Sequence, residues 1–278
     1  MLSCLLGAAG ILLIGISAIV YRRHRNRRAA MASHPPVKPG AGRTGMTVTQ
    51  VLDAYFPVFD SLEKARHYAE QHGKDAQAVY DTWQLTSDRS LQVSKHLRKQ
   101  IIHFLNNPGY QPDLKFCYKS PNAGDSHGEV IRLDCEWQLF TAFLSKYDLS
   151  PVRINWHLRD PIHGIHGIVD LACLGEDNKL DLYFWSRSSH IVTEIDGEQR
   201  LQQSSPFHLR APLDDLPATR YCRYQLRASL LAEMMEVDFT LKVGHLWLVV
   251  LHPNLTQAAV LSLERDREHI RKLLNDLR

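Results

Sequence analysis

Most of the side chains in this chain that could do chemistry fall between residues 151 and 227. Asp170, in GIVD, is a carboxylate within a strand-like run, and His157, His163 and His166 precede it. The HxxH spacing of His163 and His166 can ligate a metal, so these four side chains suggest a Zn or Mn site. Without a third well-placed ligand, a solvated loop around the turn RDPIHGIHG is the favoured reading. Glu176 and Asp177 lie in GEDNK, where turn chemistry alone accounts for acids. Asp181 stands three residues before Phe184, and strand alternation points it to the opposite face. Ser186-Arg187-Ser188-Ser189 has no G-x-S-x-G context and reads as a polar strand exit, not a nucleophile. Arg220, Arg223 and Arg227 recur near helical spacing. With Arg98 they are candidate phosphate or nucleic-acid contacts, although a solvated helix face is the plainer account. The five tryptophans (83, 137, 156, 185 and 247) sit in apolar segments and read as core.

The elements that must position these groups follow from periodicity. Thr47-Val-Thr-Gln is a helix start, with apolar residues at Val51, Leu52, Tyr55 and Phe56. Further helices are expected over Ser61–Gln71, Leu91–Asn106 and Trp137–Tyr147. Strands are expected at Val152–Leu158, His166–Leu174 and Leu180–Trp185, the last two joined by the turn GEDNK. A helix over Tyr221–Glu236 leads to the continuous apolar run His245–Leu251, a buried central strand. Ser262–Arg278 reads as a closing amphipathic helix. Helices, three strands, helix, strand, helix is the order of an α/β core with an antiparallel portion.

The 278 residues are 44% hydrophobic and 23% charged, with a formal net charge of +3. That charge is too small to argue for nucleic-acid binding by itself. Five scattered cysteines without a CxxC pair argue against a zinc ribbon or a disulfide framework. Leu2–Tyr21 carries no charge, and twenty helical residues rise ~30 Å, the thickness of a hydrocarbon core. No positive charge precedes this run, whereas Arg22, Arg23, Arg25, Arg27 and Arg28 follow it. Those flanks favour an uncleaved anchor with the C-terminal side in the cytosol over a signal peptide. A Pro/Gly/Ala-rich linker then extends to about Gly45. The expected division is an anchor at 1–21, a basic and Pro/Gly-rich linker at 22–46 and one domain at 47–278.

Several segments, in order, carry a resemblance: AYFPVFDS, QIIHFLNN, EWQLFTAFL, PVRINW, HGIVDLACLGEDNKLDLYFWSRS, LDDLPATRYCRYQLRASLL and KVGHLWLVVLHPN. Over roughly residues 48 to 255 the chain resembles the PD-(D/E)XK nuclease superfamily, in particular a branch of large DNA viruses and protists. The resemblance implies a mixed sheet flanked by helices and an active relative that holds Mg²⁺ or Mn²⁺ on oxygen ligands. It places the acid before the turn at Asp170. The acid and lysine after the turn fall on Phe184 and Ser186, and the first-strand glutamate on Asn155. The helical His and Glu positions fall on Arg98 and Ile102, and the glutamine on Arg227, or on Gln225 with a shifted helix register. One carboxylate remains where two or three are required.

These readings converge on a membrane-anchored, catalytically inactive nuclease-like domain that acts as a structural or interaction module. It would use no cofactor, meet protein partners, and sit in its membrane through Leu2–Tyr21, with the domain on the cytosolic side. A nucleic-acid-binding protein that kept the groove is one alternative, marked by a clustered basic surface around Asp170. An active metal-dependent DNA nuclease with a displaced site is another, marked by a second carboxylate within ~4–5 Å of Asp170. Removing residues 1–28 is expected to leave a soluble, folded chain. Gel filtration and circular dichroism check this, and an insoluble product would count against the proposed boundary.

Overall fold

The structure, a computed structural model, describes residues 45–57, 61–119 and 128–277. The expected anchor and most of the linker lie outside the described residues. No helix among the described residues is long and apolar enough to cross a membrane.

Thr47 opens the first helix, α1 (Val48–Tyr55), through a reciprocal capping box. Its hydroxyl accepts from Gln50 N–H at 3.1 Å, and its own N–H donates to Gln50 Oε1 at 2.8 Å. The preceding pair Met46–Thr47 forms a short strand, β1, so ordered pairing begins one residue before the expected boundary. Helix α2 (Ser61–His72) follows, and then α3 (Ala76–Asn106). Strands β2 (Lys115–Tyr118) and β3 (Glu129–Arg132) pair antiparallel and lead to α4 (Asp134–Lys146). Strands β4 (Pro151–Asp160), β5 (Ile165–Leu174) and β6 (Leu180–Ser186) come next, followed by the hairpin β7 (Val192–Ile195) and β8 (Glu198–Leu201). The chain closes with α5 (Arg220–Phe239), β9 (Val243–Val250), β10 (Ala259–Leu263) and α6 (Arg267–Asp276).

The mixed α/β architecture matches expectation: one mixed sheet flanked by helices. β5 pairs antiparallel with β4 along one side. Its other side pairs with β6 over Leu171–Leu174 and with β1 at Ile165 and His166. β6 runs parallel to β9, with α5 as the crossover, and β10 adds antiparallel to β9. On one face, Phe140 and Phe143 of α4 meet Trp185 edge-on, and Phe143 does the same to Tyr183. Such aromatic pairs contribute about 0.5–1.5 kcal/mol each beyond area burial. The other face takes α5 at contact distance. A Cβ built on Gly167 of β5 would stand 2.5 Å from Leu231 Cδ2 and 2.8 Å from Val48 Cγ2, so any larger residue would force these side chains to shift.

Several expectations change. The helix expected from Leu91 starts at Ala76, capped by Asp75, whose carboxylate accepts from Ala78 N–H at 2.7 Å. Its outer half packs against α2 over a small separate cluster of Ala65, Ala69 and Val79. Trp83, in that half, is 38% exposed and meets the Tyr68 ring at a tilt, so it is not core. Trp137 and Trp185 are buried as expected, while Trp156 and Trp247 are only partly buried. Ser262–Arg278 is not one helix: Ser262 and Leu263 belong to β10, which pairs with β9, and α6 begins at Arg267. Four of the five cysteines are described, all are free, and Cys173 and Cys222 are buried. Burial pushes the Cys222 thiol up to about 12, which suits packing and not reactivity.

One side-chain cluster fastens α6 to the loop before α5. Asp266 caps α6 and accepts from His269 N–H at 3.1 Å. His269 Nδ1 lies 2.8 Å from Asp266 Oδ1, and its Nε2 lies 2.9 Å from Asp215 Oδ2. Both nitrogens can donate only when the ring is protonated. Burial opposes that charge, but the hydrogen bonds to Asp215 and Asp266 outweigh it and raise the pKa. A raised pKa means the stabilisation is complete below the unfolded value of 6.5 and is lost as pH rises through the folded one. Thermal melts between about pH 5 and 9 should therefore show a loss of Tm above pH ~6.5 that His269→Gln lacks. Superimposable pH profiles for the two proteins would refute the assignment.

Candidate functional site

The β5–β6 ladder runs from Leu174–Leu180 to Leu171–Tyr183 and then gives way to side-chain bonding. One step further along the register, Asp170 stands level with Phe184. Trp185 N–H donates to the Asp170 carboxylate, at 2.9 Å from Oδ2. Close by, Ile168 C=O accepts from Arg227 Nη2 at 3.1 Å. Buried backbone groups must find partners, and here Asp170 and Arg227 supply them. On the other neighbour of β5, Asn155 lies between Ile154, paired with Leu171, and Trp156, paired with Val169. That register puts Asn155 at the level of Asp170. Its φ of 51° is left-handed, a conformation asparagine tolerates better than most residues.

Two helices deliver arginines to this point. Arg98 of α3 forms an ion pair with Asp170 Oδ1, and Arg227 of α5 approaches the same oxygen at 3.6 Å. Asp170 is 1% exposed, and a buried carboxylate needs such charge partners. Arg227 also lies over the Phe184 ring, 5.4 Å from its centroid, and 6.0 Å from that of Tyr224. The resemblance implies a divalent cation here, and the residues present do not fit one. The positions level with Asp170 offer an amide at Asn155 and a fully buried ring at Phe184, where hard oxygen ligands are needed. Two guanidinium groups face the remaining carboxylate. Ile102, one turn beyond Arg98, supplies only hydrocarbon. Arg227 reaches Asp170 from α5, which selects it over Gln225 as the helix residue facing the site.

The other sequence candidates are dispersed. Ser186 is buried and its Oγ accepts from Ser188 N–H at 3.2 Å, consistent with a polar strand exit. Arg223 pairs with Asp53 and stacks on Phe56 at 4.4 Å, while Arg220 is exposed at the start of α5. The four cations therefore do not form one pocket. Asp181 points away from Asp170 as strand alternation requires, and its Oδ1 accepts from His245 N–H at 2.8 Å. Glu176 and Asp177 sit in a 3-10 turn with Asp177 at φ 55°. The histidine segment is a turn between β4 and β5, exposed at Pro161 and Ile162 and ordered by Asp160. Asp160 accepts from Ile162 N–H at 2.8 Å and His163 N–H at 3.1 Å, and its Oδ2 lies 2.6 Å from His163 Nδ1. His157 and His166 are exposed on β4 and β5. Among the described residues no group of three or more His, Cys, Asp or Glu is placed to hold a metal ion.

A second buried ion pair escapes the sequence reading. Glu136, in the first turn of α4, is 1% exposed and accepts from Arg187 Nε at 2.7 Å. Its position favours the helix dipole, and the pair joins α4 to the exit of β6. His252, after β9, has its pKa lowered, first by burial and then by the nearby Arg187 charge. The available signal was a lone acid within the apolar helical run EWQLFTAFL.

No family model matches this chain, and no curated protein matches it. A solved structure titled "Crystal structure of SSO0001" superposes with a TM-score of 0.31 at 12% identity, covering 93% of this chain and 82% of that one. That likeness is too distant to carry chemistry from one chain to the other.

Removing Glu136 strands the Arg187 charge in a buried place. Glu136→Ala should lower the unfolding free energy by about 3–5 kcal/mol, and Glu136→Gln by less, because the amide still accepts a hydrogen bond. Urea denaturation followed by tryptophan fluorescence measures both, and an unchanged midpoint for Glu136→Ala would show that the pair carries no net stability.

Proposed function

We propose that this chain is a membrane-anchored, catalytically inactive nuclease-like protein whose folded domain serves as a structural or protein-interaction module. The observation that carries the reading is the state of Asp170. Its oxygens face Arg98, Arg227 and the Trp185 N–H, and its flanks are Asn155 and Phe184. A phosphodiester-cleaving site needs the opposite arrangement, with several oxygen ligands gathered around a divalent cation that activates water. The order of the sequence segments that resemble PD-(D/E)XK nucleases supports the ancestry. The charge-free run Leu2–Tyr21, followed by five arginines, supports the anchor. An interaction role is supported by α3, which leaves Trp83 and Leu91 exposed. Nucleic-acid binding through the old groove has less support, because Arg98, Arg223 and Arg227 are each engaged by a carboxylate.

With Mg²⁺ or Mn²⁺ present, the purified chain should cleave neither single- nor double-stranded DNA. Gel assays on end-labelled substrates test this. Cleavage that disappears in Asp170→Ala would establish an active nuclease and overturn the reading.

A further inference from the structure

The two oxygens of Asp170 are used differently. Oδ2 accepts a directed hydrogen bond from Trp185 N–H at 2.9 Å. Oδ1 is buried, touches Arg98 Nη2 and lies 3.6 Å from Arg227 Nη2, yet it has no aligned hydrogen-bond donor among the described residues. Arg98 Nη2 is likewise buried and without an aligned acceptor. A buried carboxylate oxygen left without a hydrogen bond calls for an explanation, and an ion is one of the few that suffice. The two arginines also differ. Arg227 is committed to Ile168 C=O and to the Phe184 ring. Arg98 meets Oδ1 as a charge, and its side chain is 31% exposed, so water reaches this side of the crevice.

We infer that the Arg98 guanidinium is a built-in cation. It stands against Asp170 Oδ1 where a bound metal ion would otherwise stand, and it is the residue that keeps this crevice closed to small cations. The charge of Asp170 is then balanced from within the chain, and the domain folds independently of any divalent ion. The inference rests on the nuclease-like reading only for the choice of a divalent metal as the competing occupant. The ion pair itself stands without it.

The test uses the full-length chain in mild detergent, compared with Arg98→Met and with Arg98→Met/Asp170→Asn. Arg98→Met leaves a buried carboxylate short of its partner, and its Tm should fall by roughly 6–15 °C. The double variant removes both charges and should recover most of that loss. Low-millimolar Mn²⁺ or free guanidinium should raise the Tm of Arg98→Met. At ten times its dissociation constant such a ligand restores roughly 3–5 °C. Neither ion should move the wild type or the double variant, and calorimetry should show Mn²⁺ heat for Arg98→Met alone or for no protein. If Arg98→Met does not fold unaided, its yield of folded protein with and without the two ions replaces the Tm comparison. Rescue by either ion supports the inference. A wild-type Tm in Arg98→Met, or a loss that neither ion rescues, would overturn it and leave the proposed function standing. Mn²⁺ binding by the wild-type chain would overturn both.

Discussion

A carboxylate buried beside the middle strand of a sheet must be neutralised from within the protein, and Asp170 sets that requirement here. It is met by bringing Arg98 of α3 and Arg227 of α5 to one oxygen and the Trp185 N–H to the other. Two helices distant in sequence and two consecutive strands therefore share one small polar cluster. The same residues also solve a backbone problem. β5 leaves β6 after Leu171 and takes β1 as its neighbour at Ile165 and His166. Between those pairings, Trp185 N–H and Ile168 C=O are served by Asp170 and Arg227. A carboxylate kept for that purpose needs no catalytic justification.

The two faces of the sheet then divide the labour. One face carries Phe184 under the Arg227 guanidinium of α5. The opposite face carries Tyr183, Trp185 and the aromatic residues of α4, which extend through Phe140 and Trp137 to Phe104 of α3. At the end of β6, Arg187 returns to Glu136 of α4. Each face is thus closed by one buried ion pair at the margin of an apolar layer, Arg98–Asp170 on one and Arg187–Glu136 on the other. Helix α3 takes part in both layers, supplying Arg98 to one and Phe104 to the other. That placement anchors its inner half, while its outer half relies on α2 and the three small residues they bury together.

What could be read from the residues follows from how strongly each is constrained locally. Thr47-x-x-Gln is a complete cap in four residues, and β5, β6 and β9 are apolar enough to declare burial on both faces. The outer half of α3 is different. It buries only Val79, so Ala76–Ser90 shows no apolar stripe, and the Asp75 cap was its sole local mark. The β7–β8 hairpin was legible in principle, because Asp196 and Gly197 both have positive φ, as a two-residue turn of this kind requires. β10 is short, and its strand character depends on pairing with β9, which no local pattern reveals. Within the site, Asp170, Asn155 and Phe184 fall at one level because strand spacing is regular. The resemblance puts Arg98 and Asp170 in one site, but the ion pair between them spans 72 residues, joins a helix to a strand and has no local mark. Glu136 and Arg187 were hidden for the same reason.

The energetics of buried ion pairs bear on why such a cluster persists. Replacing a whole buried pair by well-packed apolar residues is often neutral or stabilising, whereas removing one member strands the other's charge at a cost of about 3–5 kcal/mol. A chain that loses a metal-binding carboxylate one substitution at a time is therefore held at the last one. Asp170 cannot change alone while Arg98 and Arg227 face it, and neither arginine can change alone while Asp170 remains. Phe184 strengthens the constraint, because its ring packs under Arg227 and leaves that guanidinium few other positions. On the proposed nuclease ancestry, retention of Asp170 would follow from coupling among neighbours with no selection for cleavage. The presence of Asp170 is thus no sign of activity, and the discriminating weight falls on Arg98, which meets the carboxylate as a charge.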